Sequence, residues 1–159
     1  MRKQDLLNQL RASREALNKT FEGLSPDVLM RPGVIGLWSI KDILAHLTAW
    51  ESEIVTALAK LDPRSEPNIL KIEDFDEWNA EQYAINAPRL LPTVLEDFHG
   101  VHKHLLRAVE ALDEKTLTDP RKFRWMEGEP LSALIAENAL WHEEEHTEQI
   151  RAWRESNGL

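Results

Sequence analysis

At 159 residues, 42% apolar and 30% charged, the sequence has the length and composition of one compact domain over 1–159 with a continuous core. It holds no cysteine, which excludes disulfides, thiolate metal ligands and a cysteine nucleophile. The formal charge of −9 comes from 28 acidic against 19 basic residues, and the densest basic group, Arg121, Lys122 and Arg124, is small, so no nucleic-acid partner is expected.

Leu6, Leu7, Leu10, Leu17 and Phe21 recur at helical steps and predict a first helix over 3–22, stopped by Gly23. Leu24 to Leu37 reads as a connector with Pro26, Pro32, Gly33 and Gly36, and with room for one helical turn after Ser25-Pro26. Ser39 is an N-cap for the second helix, with Asp42 three residues on, where a carboxylate meets free backbone N–H groups. Its stripe of Ile43, Leu47, Trp50, Ile54, Leu58 and Leu61 runs to Asp62-Pro63, and 63–73 reads as a loop.

Phe75 to Ala87 has helical composition, and Pro88 and Pro92 interrupt the chain beyond it. A new start with Pro92 in its first turn carries Leu95, Phe98, Val101 or His102, Leu105 and Leu112. Asp113 to Glu129 reads as a polar connector. Pro130 suits a first helical position, and Leu131, Leu134, Ile135, Asn138, His142, Gln149, Ile150 and Trp153 carry the last stripe. No segment alternates like a strand. Four long amphipathic helices must bury their stripes on one another, which predicts an all-α four-helix bundle with long connecting loops. No apolar run approaches bilayer length and no signal-peptide pattern comes after Met1-Arg2-Lys3, so the expected setting is the cytoplasm, with no membrane contact.

The six histidines divide into two groups. His99, His102 and His104 lie on or near the polar side of the helix after Pro92, and only His102 is in reach of the core. His142 and His146 are four residues apart, so both rings project from one helix face and both can reach one ion. The alternative is a pair of core-edge imidazoles bonded to carbonyls or carboxylates. His46 borders the core stripe of the second helix, where a ring is more often a satisfied core histidine than a ligand. Together the three make a candidate facial set with open positions for water or substrate. Neutral imidazoles suit Zn, Ni, Fe or Co, with Zn or Ni first, and hardly suit Mg or Ca. His142-Glu143-Glu144-Glu145-His146 also satisfies the H-E-x-x-H pattern of zinc proteases, but Gln149 and Ala152 stand where the extended form needs other residues, and Glu143 reads as part of a solvated acidic face. Asn138, one turn before His142, and Trp50 are the candidate substrate-binding residues; a helix–helix hydrogen bond and core packing are their alternatives. Glu145 reads either as a partner of a ligand imidazole or as half of a surface salt bridge, and Tyr83 is left without a role.

Leu37-Trp38-Ser39-Ile40-Lys41-Asp42-Ile43-Leu44-Ala45-His46-Leu47 resembles the second-helix signature of the DinB/YfiT-like family. His142-Glu143-Glu144-Glu145-His146-Thr147-Glu148-Gln149-Ile150 is similar to that family's late H-x3-H-x2-Q-I segment. The resemblance spans nearly the whole chain. It implies a four-helix bundle, often a homodimer, with a divalent metal on His46, His142 and His146. It implies an enzyme acting on a small electrophilic substrate: a hydrolase, or an S-transferase using a low-molecular-weight thiol such as bacillithiol or mycothiol. A sister group that hydrolyses a strained electrophilic genotoxin shares the Trp38-Ser39 start and Trp50 but not the late double-His pattern. The rival expectation is a non-catalytic metal- or small-molecule-binding stress-response protein.

Overall fold

The first apolar stripe folds where the spacing puts it. In the computed structural model, which describes residues 1–159, α1 (Lys3–Phe21) ends at Glu22, and Gly23 takes a left-handed φ of 77° that few other residues tolerate. The single turn expected after Ser25 is α2 (Pro26–Leu29), capped by the Ser25 hydroxyl. The next helix, α3 (Ile40–Ala59), starts on a reciprocal cap. The Asp42 N–H donates to the Ser39 hydroxyl at 3.1 Å, and the Ser39 N–H donates to the Asp42 carboxylate at 2.9 Å. It ends short of the expected Asp62-Pro63. A 3₁₀ turn over Asn68–Lys71, inside the expected loop, seats Ile69 in the core.

α4 (Phe75–Asn86) lies along the outside of α3 and buries none of its own residues fully. α5 (Leu91–Ala111) begins with Pro92 in its first turn, as the sequence requires. The stretch 113–129 is not simply a polar connector. It contains α6 (Glu114–Thr118) and a 3₁₀ turn at Arg124–Met126, and it buries Leu117 and Phe123, whose apolar side chains recur too sparsely to make a stripe. The last helix starts one residue later than expected, with Pro130 as its cap, and it is not uniform. It runs as α7 (Leu131–Ile135), a π-helical segment (Ala136–Trp141) and α8 (His142–Ser156). All regular structure is helical, and the isolated bridges Ile35–Trp38 and Asp62–Ser65 are tight turns. The all-α bundle is thus borne out. No helix is long and apolar enough to cross a membrane.

α3 packs along α5 and α1 along α8, with the π segment against α1 and α3. The apolar core so formed is in two parts. One joins Leu6, Leu7 and Leu10 to Ile54, Leu105 and Leu131; the other joins Leu17 and Phe21 to Ile43, Leu44, Phe98 and Ile150. A buried polar layer lies between them in sequence order on α1, α5 and the last helix, and adjoins Trp50 on α3. Arg14 of α1 reaches Glu51 of α3 through Nη2 and Glu143 of α8 through Nε, both at 2.9 Å, and donates from Nη1 to the Phe98 carbonyl of α5 at 3.0 Å. Its guanidinium also lies 3.9 Å from the Phe98 ring centroid. Ser13 donates to the other Glu143 oxygen, and His102 Nδ1 meets the other Glu51 oxygen, each at 3.0 Å. Glu143 is therefore not part of a solvated face: it is 3% exposed. Burial pushes its carboxyl up, and Glu51 adds to this while Arg14 opposes it.

Removing one member of such a layer leaves the others buried and unpaired. Arg14→Met is expected to cost on the order of 3–5 kcal/mol in urea unfolding. Converting Arg14, Glu51 and Glu143 together to apolar residues should recover much of that loss. A single variant within about 1 kcal/mol of the parent would contradict this reading of the layer.

Candidate metal centre

The π segment decides which residues face inward beyond it. In an unbroken helix the stripe of Leu134 and Ile135 would continue through Asn138, His142 and Gln149. The extra residue of the π segment rotates the following helix by about 100°, one residue's worth. Ala139, Leu140, Glu143 and Thr147 are buried instead, Ile150 is buried as expected, and Asn138, His142 and Gln149 come to rest half-buried at the edge of the core. His142 and His146 thereby face His46 across the gap between α8 and α3.

The three rings converge on their Nε2 atoms. His46 Nε2 lies 2.8 Å from His142 Nε2, which lies 3.1 Å from His146 Nε2, and one donor atom from each ring falls within 4.8 Å of the others. Donors held at about 2.0–2.1 Å from one ion sit roughly 2.9–3.4 Å apart, close to the two measured separations. The His146 tautomer points the same way. His146 Nδ1 meets the Gln149 amide oxygen at 2.7 Å, so it carries the proton and leaves Nε2 as a lone pair. His142 Nε2 stands 3.1 Å from that lone pair and 2.8 Å from His46 Nε2, close enough for one cation to serve all three rings, and a proton is a poor candidate. Burial, then the neighbouring imidazoles, lower the His46 pKa to about 3. Burial, then His146, bring His142 to about 4, and burial also lowers His146. The donor set fits a borderline transition-metal ion, and these residues could hold one.

The shell around the triad was less legible. Trp38 tilts over His46 with ring centroids 5.0 Å apart, and Tyr83, unassigned from sequence, stacks on Trp38 at 5.9 Å and 2°. Trp50 donates its indole N–H to Asn79 at 2.9 Å. Phe75, Asn79 and Tyr83 recur every fourth residue, a spacing that marks one face of α4. Glu145 makes no salt bridge; it accepts from Gln149 at 3.5 Å and so acts on His146 at one remove. Glu143, the would-be base of the zinc-protease pattern, is held by Arg14 and Ser13 in the core.

A cavity of about 590 Å³ opens over the three rings, and both Trp50 and Asn138 line it, with Phe75, Trp141, Glu137 and Glu145. Asn138 gives one amide N–H to the Leu134 carbonyl at 2.9 Å, leaving its other N–H and its oxygen for a ligand. A cleft of about 670 Å³ between α3, α4 and α5 is larger, but no set of metal-competent donors converges in it, and one of its charged pairs, Arg89 with Asp97, is already satisfied. Donor geometry, not volume, marks the candidate site.

A sequence model of the DinB superfamily matches residues 9–150. No curated protein matches the sequence. Among solved structures, an uncharacterised protein from Escherichia coli UTI89 superposes with a TM-score of 0.80 at 14% identity, over 99% of this chain and 95% of that one. DfsB, a sibling lethal factor precursor, gives 0.79 at 17% identity, over 99% and 97%. The colibactin self-resistance protein ClbS, in complex with a dsDNA, gives 0.77 at 14% identity, over 97% and 96%. The last of these corrects the expectation of no nucleic-acid partner, since a protein of this fold is held on DNA. The inference from charge failed because −9 is a sum over the whole chain. It includes the buried carboxylates of Glu51 and Glu143 and does not describe the field at any one face.

With His46 and His142 depressed this far, the metal-free folded chain resists protonation that the unfolded chain accepts near 6.5. Their contribution to stability is complete above about 6.5 and is lost as pH falls toward 4 and then 3. The urea midpoint of the metal-free chain should drop over that window. In NMR titration both rings should stay neutral down to about pH 5; half-titration of either above about pH 6 would refute the assignment.

Proposed function

The chain belongs to the DinB superfamily, and on that premise we propose that it is a divalent-metal-dependent enzyme, a hydrolase or thiol-dependent S-transferase acting on a small electrophile. His46, His142 and His146 would hold the ion, with Zn or Ni the best matches to three neutral imidazoles. The observation that carries the reading is the convergence of three Nε2 atoms, that of His146 fixed as a lone pair, beneath an open cavity. When bound, such an ion supplies Lewis acidity that lowers the pKa of a water or thiol toward neutrality.

The chain's own residues supply the rest. Gln149 holds the Nδ1 proton of His146, which keeps its Nε2 lone pair aimed at the point the other two rings face. Trp38 closes one side of His46, and Trp50, fixed by Asn79, forms a wall beside His142 with ring centroids 6.3 Å apart. These apolar surfaces exclude water from all but the cavity side and strengthen polar interactions there. The free N–H and oxygen of Asn138 are the groups best placed to orient a substrate.

Purified without a histidine tag, the protein is expected to carry about one divalent ion per chain. His46→Ala, His142→Ala or His146→Ala should each abolish tight binding. Gln149→Leu, which frees the His146 ring, should weaken it about 10–100-fold. Metal content by mass spectrometry and turnover of small electrophiles, with and without added low-molecular-weight thiol, read both points. Thiol-dependent consumption identifies a transferase and thiol-independent consumption a hydrolase. A chain that binds no ion and is indifferent to all three alanine substitutions would end the metal reading.

A further inference from the structure

The cavity over the histidines has a mouth whose chemistry is more specific than an apolar opening. Trp141 is 52% exposed and Phe75 58%, large ring areas left to water at the entrance. Phe75 at least stands edge-on to Trp50 at 5.6 Å, whereas Trp141 makes no aromatic contact. Trp50 forms the inner wall, and its indole N–H is already committed to Asn79. The charged residues lining the cavity, apart from the histidines, are Glu137 and Glu145, and no Lys or Arg joins them. These two stand four residues before and four residues after Trp141, so an uncovered indole lies between two carboxylates. Neither carboxylate is in an ion pair. An exposed Trp face attracts cations through its ring quadrupole, and paired carboxylates reinforce that attraction.

From this arrangement we infer that the mouth selects a flat aromatic or heteroaromatic group carrying positive charge, and turns away anionic ones. The inference rests on the cavity being where the reaction partner binds, as proposed above, but not on an ion being present. An ion on the histidines would add its own charge at the inner end, where it acts on the reacting atoms. The selection by Glu137, Trp141 and Glu145 acts on the outer end of the same molecule. A thiol bearing several carboxylates meets the wrong field there, which weights the balance toward a cationic or neutral co-reactant.

Three probes sharing one naphthalene body test this: a trimethylammonium, a methyl ether and a sulfonate, titrated into the full-length metal-free chain with tryptophan fluorescence as readout. The ammonium should bind about tenfold more tightly than the sulfonate at low salt, with the gap narrowing as salt is added. Glu137→Gln with Glu145→Gln should collapse the gap to within about twofold while leaving the ether unchanged. Trp141→Ala, on a half-exposed position, should weaken ammonium and ether alike with helical circular dichroism intact. Equal or tighter sulfonate binding, an ammonium affinity indifferent to the Gln pair, or no binding by any probe overturns the inference. Metal content is read separately on the same preparations. A chain without metal that keeps the charge preference removes the enzyme reading alone, and a metal-loaded chain without the preference removes this one alone.

Discussion

One cation holds the bundle's four long helices in register. Arg14 ties α1 to α3 through Glu51, to α8 through Glu143 and to α5 through the Phe98 carbonyl, all out of contact with water. A guanidinium suits this position because its planar fork can serve several acceptors at once, which a lysine ammonium cannot match in geometry. Apolar contacts alone would allow the helices to slide by a turn with modest loss. A charged layer does not, since any slip strands a carboxylate in the core. The relative height of His46 on α3 and His142 on α8 is set by this pinning, because Glu51 and Glu143 lie only a short way along the same helices.

The π segment supplies the other half of the geometry. It lets Glu143 occupy the core position that Arg14 requires, and it moves His142 to the border, where an imidazole can present a lone pair outward. A strictly α-helical continuation would satisfy one of these demands or the other. The Nε2 convergence is thus a product of helix phase, not of histidine spacing alone.

Much of this was legible in the sequence. The stripes on α1, α3 and α5, the Ser39 cap and the Pro92 start came directly from periodicity and capping chemistry. So did the pairing of His142 with His146, because an i, i+4 relation survives the phase shift that precedes it. The shift itself was not readable, since no residue type marks a π turn, and it made Asn138, His142 and Gln149 look like core positions. The polar layer left a signal that stripe-reading passes over. Arg14 sits where an apolar residue is due, between Leu10 and Leu17, and Glu51 adjoins Trp50 of the second stripe; of the layer's members only His102 reads from sequence as within reach of the core. Asn79 and Tyr83 escaped because α4 buries no residue fully and shows no stripe to place its faces. Charge misled for a simpler reason: a total cannot report a pattern.

The division of labour along the π segment bears on how such a bundle can change its chemistry over time. Ala136, Ala139 and Leu140 carry its contacts with the core, while Glu137, Asn138 and Trp141 look into the cavity. Substitutions at the second set alter what the cavity accepts without disturbing either apolar cluster. Drift at these positions is therefore almost free of folding cost, whereas the three converging histidines and the Arg14 layer stay fixed. A scaffold partitioned in this way can be re-equipped for new small molecules one residue at a time, the kind of separation that lets one fold host many activities.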